Sequence, residues 1–175
     1  MTESESTLHY FAYGSNINLP HLRMYLALHG VDNDDHVATF RPAMLHDHRL
    51  RTNYHTCDGS GACNIEACRG YHVEGLVMRI SAQVQDVLRR KEGWPVCYEE
   101  IAIQVMTDAG RITAMAYVVT PDRQLLHDTP VSPQYRELIL EGAREAGFSS
   151  EYQRHLRHVL RPLQVAEGNR IFSPR

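Results

Sequence analysis

Strand-like runs dominate the first two-thirds of this chain, and helix-like runs with capping residues close it. That division argues against a doubly wound sheet, which needs strands and helices to alternate throughout. It predicts an α+β architecture or a barrel with appended helices. "LHYFAY" reads as the first strand, and Leu19, Leu22 and Leu26 recur at helical spacing after it. "VATF" and "AMLHDHRLR" read as short strands around Arg41-Pro42, and "YHVEGLVMRI" as a better one. The strands "YEEIAIQVM" and "RITAMAYVV", joined by Thr107-Asp108-Ala109-Gly110, predict a hairpin.

Helix boundaries are marked by residues with a physical reason to be there. Ser81 predicts an N-cap for a helix with Val84, Val87 and Leu88 on its apolar face, stopped by Gly93. Ser132-Pro133 supplies a cap followed by proline at the first helical position, and Leu138, Ile139, Ala143 and Ala146 carry that helix's apolar face to Gly147. Ser149 or Ser150 starts a last helix containing Leu156, Val159 and Leu160. Residues 1–7 read as a frayed polar terminus, 8–160 as one domain, and 161–175 as a tail on the surface.

Composition narrows the class. A chain of 175 residues with 43% hydrophobic and 22% charged residues is long enough to bury a core without disulfides or metals. A formal charge of -3, with no dense Lys/Arg stripe, argues against a nucleic-acid partner. No apolar run reaches the length of a membrane span, and "MTESESTLHY" lacks the basic start and apolar core of a signal peptide. The expectation is a cytoplasmic protein without a membrane partner, whose four cysteines are free thiols. Oligomeric state is not readable from the sequence.

The segment Tyr13-Gly14-Ser15-Asn16 breaks the first strand just before a helix. Unpaired amides at such a junction suit a carboxylate, and glycine permits close backbone approach. The pattern matches neither the three-glycine dinucleotide fingerprint nor the Gly-Lys-Ser/Thr phosphate loop. Read locally, Asn16 or Asn18 equally serves as a simple helix cap.

"YFAYGSN", followed by "KEGWPVCY", "AMAYVV" and "VSPQYRELILEGAREAGFSSEYQRHL", resembles the gamma-glutamylcyclotransferase family, within the AIG2-like superfamily. The resemblance implies a small mixed barrel, no metal or organic cofactor, and a small-molecule gamma-glutamyl substrate. In that reaction the substrate's own α-amine attacks its γ-carbonyl and 5-oxoproline leaves. The resemblance places the acid/base carboxyl at Glu92. It places the gamma-glutamyl end against Tyr13, Gly14, Ser15 and Asn16, and pocket positions at Tyr98, Tyr117 and Tyr135. It also suggests that Asn64 faces the pocket. At the end of its helix Glu92 meets an unfavourable dipole that, with partial burial, raises its pKa, with Arg89, Arg90 and Lys91 opposing. Glutathione fits less well as substrate, because the subfamily dedicated to it differs after the Tyr-Gly-Ser turn.

Two other readings stay open. "NYHTCDGSGACNIEACRG", where loop residues and cysteines crowd together with histidines nearby, raises a metal-binding module, although Cys57, Cys63 and Cys68 are spaced too widely for paired zinc ligands. A non-catalytic small-molecule binder on the same scaffold is the other, with Glu92 as the discriminating residue.

Overall fold

The computed structural model of the protein describes residues 8–31 and 37–163. Strand β1 (Leu8–Ala12) leads through a 3-10 turn (Ser15–Ile17) into helix α1 (Leu19–Leu28). A long hairpin comes next, β2 (Val37–His55) and β3 (Gly61–Ile80), then α2 (Ala82–Glu92). A second hairpin, β4 (Tyr98–Thr107) and β5 (Gly110–Val119), precedes α3 (Pro133–Glu145) and α4 (Ser150–Val159). The strands close into a barrel in the order β1-β3-β2-β4-β5. Among the described strands only the β1–β5 contact, at Tyr10↔Met115, is parallel, so the barrel is mixed.

The hairpin β2–β3 departs from the expectation of short strands and a cysteine-rich loop. Pro42 lies inside β2, opposite Leu76, and "GACNIEAC" lies inside β3. Residues 56–60 form the connection, where Asp58 accepts from the Ser60 amide at 2.9 Å. On its other side β2 meets β4 at Met44↔Met106, two residues beyond Pro42. Register shifts at Ala38/Phe40, His46/His48 and Arg51/Tyr54 let these long strands bend around the barrel.

The caps fall where expected. Ser81, Ser132 and Ser149 each accept from the amide three residues on, at 3.3, 3.2 and 3.1 Å. Gly93 ends α2 in the left-handed conformation (φ 65°), which glycine adopts without strain. Phe11, Val73 and Val105 fill the barrel, while Met78 on the opposite face of β3 and Leu22, Val84, Leu88, Ile139 and Leu156 seal the helices onto it. At the start of the expected surface tail, the exposed residues 161–163 are tied to the body: Val131 and Pro162 form a parallel bridge, and the Leu163 amide donates to the Val131 carbonyl at 2.9 Å. The frayed terminus expected at residues 1–7 and the tail expected at 164–175 lie outside the described residues. No helix among the described residues is long and apolar enough to cross a membrane.

Candidate active site

The turn after β1 is shaped by the helix it leads into. Asn18, not Asn16, caps α1, its side chain accepting from the His21 amide at 3.1 Å. The Ser15–Ile17 turn intervenes, so α1 begins at Leu19 and its dipole does not point straight from the Tyr13–Asn16 turn. Instead the turn supplies donors of its own: the amides of Gly14, Ser15 and Asn16 meet no acceptor among the described residues. Successive free amides of this kind form a concavity suited to an anion.

Helix α3 clamps the turn. Asn18 Nδ2 donates to the Leu138 carbonyl at 3.2 Å. At Gly142 an added Cβ would lie 2.8 Å from the Asn18 nitrogen and 2.8 Å from Ile17 Cγ1, so only glycine permits this approach.

Glu92 reaches the same place from the end of α2. Its Oε1 accepts from Asn16 Nδ2 at 3.2 Å, and Asn16 Nδ2 also donates to Tyr10 Oη at 2.8 Å. Burial raises the Glu92 pKa above the ordinary carboxyl range, and the charge of Lys91 and the Asn16 hydrogen bond offset this only in part. The direction agrees with the sequence reading, but burial rather than the helix dipole is the leading cause.

Tyr13, Gly14, Ser15, Asn16, Glu92, Tyr98, Tyr117 and Tyr135 line one cavity of about 40 Å³, together with Tyr10 and Cys63. Gly14 near the start of the chain and Tyr135 on α3 thus face one space. A groove of about 350 Å³ shares Ser15, Glu92, Tyr98 and Tyr135 with the cavity and adds Tyr54, Arg90 and Lys91.

The tyrosines divide by what their hydroxyls do. Tyr98 donates to the Cys63 carbonyl at 3.0 Å, Tyr117 to Glu100 Oε1 at 2.9 Å, and Tyr13 to the Tyr117 carbonyl. These three hydroxyl protons are already engaged by the protein, so the rings serve as wall. Tyr10 and Tyr135 accept instead, Tyr135 from the Cys63 amide at 3.1 Å; Tyr135 also pairs with the Cys63 thiol, so Tyr10 is the one that keeps a proton to give. Burial raises the pKa of every one of these tyrosines, so none offers a phenolate near neutrality.

Asn64 does not line the cavity. It is fully buried, donating to Asn53 Oδ1 at 3.1 Å and accepting from the Val119 amide at 3.0 Å, a bracing role within the barrel. Among the described residues no group of three or more His, Cys, Asp or Glu side chains is placed to hold a metal ion, and all four cysteines are free.

The chain is 32% identical over 161 residues to the gamma-glutamylcyclotransferase of Mus musculus, covering 90% of this chain and 80% of that protein. It belongs to the gamma-glutamylcyclotransferase family. The Homo sapiens gamma-glutamylcyclotransferase is 29% identical over 164 residues, covering 89% of this chain and 80% of its own. The model of the AIG2-like family matches residues 72–156. A solved structure titled "Gamma-glutamyl cyclotransferase" superposes with a TM-score of 0.77 at 27% identity, covering 93% of each chain.

Two cavity residues of this gamma-glutamylcyclotransferase family member escape sequence reasoning. Cys63 is hidden because its segment reads as loop; read as strand, the alternation Gly61, Cys63, Ile65 turns its thiol inward. Burial pushes that thiol up to about 12, so it is not a nucleophile near neutral pH. Tyr10 carries no signal beyond its place in an aromatic strand, since the contact that recruits it is to Asn16 across the turn.

Proposed function

We propose that this protein is a gamma-glutamylcyclotransferase that converts a gamma-glutamyl amide to 5-oxoproline and the free amine. The observation that carries the reading is the convergence of three acceptor-free amides and one buried carboxyl on a single tyrosine-walled cavity. The gamma-glutamyl end enters the cavity with its α-carboxylate on the amides of Gly14, Ser15 and Asn16. The leaving amine lies in the adjoining groove, beside Tyr54 and Arg90.

Glu92 takes a proton from the α-ammonium, and the freed amine attacks the γ-carbonyl carbon of the same molecule. A C–N bond forms, the carbonyl oxygen becomes an oxyanion, and its collapse breaks the original amide C–N bond. Glu92 returns that proton to the departing nitrogen, then takes the second proton from the new ring nitrogen as the lactam forms and passes it to the released amine, which leaves as an ammonium, so no water is consumed. Well-oriented intramolecular attack reaches effective molarities on the order of 10⁵ to 10⁸ M, which is why the reaction needs no side-chain nucleophile. Tyr10, with a proton to donate, offers a hydrogen bond to the developing oxyanion.

Incubation with a panel of gamma-glutamyl amino acids, gamma-glutamyl amines and glutathione, followed by chromatographic assay of 5-oxoproline, tests the reading. Release of 5-oxoproline with an equimolar amine supports it. Binding without release from every member of the panel would instead identify a non-catalytic binder.

A further inference from the structure

Three consecutive cations end α2, and they part ways. Arg89 is committed to Glu100, with two contacts of 2.8 Å, and lies over the Trp94 ring at 4.6 Å. Arg90 points into solvent at the rim of the groove. Lys91 turns the other way, toward the catalytic turn: its Nζ donates to Asn16 Oδ1 and lies 5.2 Å from the centre of the Tyr25 ring on α1.

That contact decides how Asn16 is oriented. The Asn16 side chain is buried, and its amide group has two orientations related by a flip. In the observed one the carbonyl oxygen faces the Lys91 ammonium and the NH₂ faces Glu92 and Tyr10. The flipped amide would set NH₂ against an ammonium and carbonyl oxygen against a carboxylate, which are two repulsive contacts in place of two attractive ones. Without Lys91, half of that preference disappears.

Asn16 bridges the Lys91 ammonium and the Glu92 carboxyl, one end of its amide on each, and through it Lys91 brings its positive charge to bear on Glu92. The other groups around it are Tyr10 and Tyr13 beside β1, Cys63 on β3, Tyr98 on β4, Tyr117 on β5 and Tyr135 on α3, all of them neutral near pH 7 because burial raises their pKa values. His21 on α1, near Lys91, has its pKa lowered by burial and by that ammonium. The charge of Lys91, together with the Asn16 hydrogen bond that it orients, therefore opposes the burial of Glu92.

We propose that Lys91 is a positioning residue of this site, locking the Asn16 amide so that its NH₂ faces Glu92 and placing the positive charge that holds the buried carboxylate in its proton-accepting form. The inference rests on the reading of Glu92 as acid and base. It separates two functions in one side chain, a lock that needs only a donor and a charge that needs a cation.

Lys91→Met removes both, Lys91→Gln keeps a donor without charge, and Lys91→Arg keeps both. The readouts are the pH profile of kcat/KM for 5-oxoproline release from γ-glutamylalanine, and the ¹³C titration of the Glu92 carboxyl in the ligand-free protein. For Met and Gln, the acid limb and the carboxyl midpoint are expected to move up together by about one unit or more, a tenfold or greater loss on the acid side. The alkaline plateau should fall further for Met than for Gln, and Arg should restore the limb. An unmoved carboxyl midpoint in a folded Met or Gln variant, or a loss equal at every pH, would overturn the proposal. If the unaltered protein releases no 5-oxoproline, the functional reading fails, while the ¹³C titration still decides whether Lys91 controls the charge of Glu92.

Discussion

Gly142→Ala sets stability and activity against each other in one substitution. Alanine in a helix interior is favoured over glycine by about 0.8–1.0 kcal/mol. Its methyl group would lie 2.8 Å from the Asn18 nitrogen, 2.8 Å from Ile17 Cγ1 and 3.0 Å from Asn18 Cα, where comfortable contacts lie at about 3.5–4.0 Å. Backbone must therefore move by roughly 0.5–1 Å, and overpacking of this kind costs about 1–3 kcal/mol. The two terms leave a net loss of about 0–2 kcal/mol, and the fold survives. The displaced segment is continuous with Gly14, Ser15 and Asn16, whose amides hold the substrate in the proposed mechanism, and a misplacement of about 1 Å can cost on the order of 100-fold in rate. Urea unfolding followed by circular dichroism, alongside steady-state 5-oxoproline release, measures both sides. The expected outcome is a kcat/KM lowered by about 10- to 100-fold in a protein whose stability barely changes. Unaltered activity in the folded variant would refute the role given to the turn.

Glu92→Gln should lower kcat by about 10²- to 10⁴-fold, the usual worth of a positioned acid or base. It should also stabilise the protein near pH 7, because the folded pKa of Glu92 is raised by burial and the unfolded chain gains more by ionising. That gain should vanish below the ordinary carboxyl range, where Glu92 is protonated in both states; a variant less stable than the parent at pH 7 would contradict the burial argument. Glu100 has the opposite sign: hydrogen bonds from Arg89, Tyr117 and Gln85 hold its pKa down, so its contribution is present above the ordinary carboxyl pKa and lost as pH falls through the depressed value. Glu100→Gln should cost about 1–3 kcal/mol at pH 7 and less at pH 3, measured by urea unfolding at both. Ser132→Ala should cost about 1 kcal/mol through the lost cap on the Tyr135 amide, read as a shift in the urea midpoint.

What the sequence revealed was mostly local. Ser81 with Gly93, Ser132 with Pro133, and the Thr107–Gly110 turn each carry their physics within a few residues, and each lies where the sequence predicts it. Pro42 and the cysteine-rich run mislead for the same reason, since their strand character comes from pairing with distant residues and not from propensity. The cavity itself rests on long-range geometry. Gly142 shows no reason to be glycine until Asn18 is packed on it, and Lys91 reads as one more surface cation until Asn16 is found beneath it. The raised pKa of Glu92 is expected from a helix end, but enclosure by residues from β1, β3, β4, β5 and α3 produces it.

The reaction is tested most directly by running it in H₂¹⁸O with γ-glutamylalanine and weighing the products. Intramolecular attack predicts 5-oxoproline without ¹⁸O, equimolar with alanine, and no free glutamate. Glutamate carrying ¹⁸O in its γ-carboxyl would show that water is the nucleophile and contradict the account.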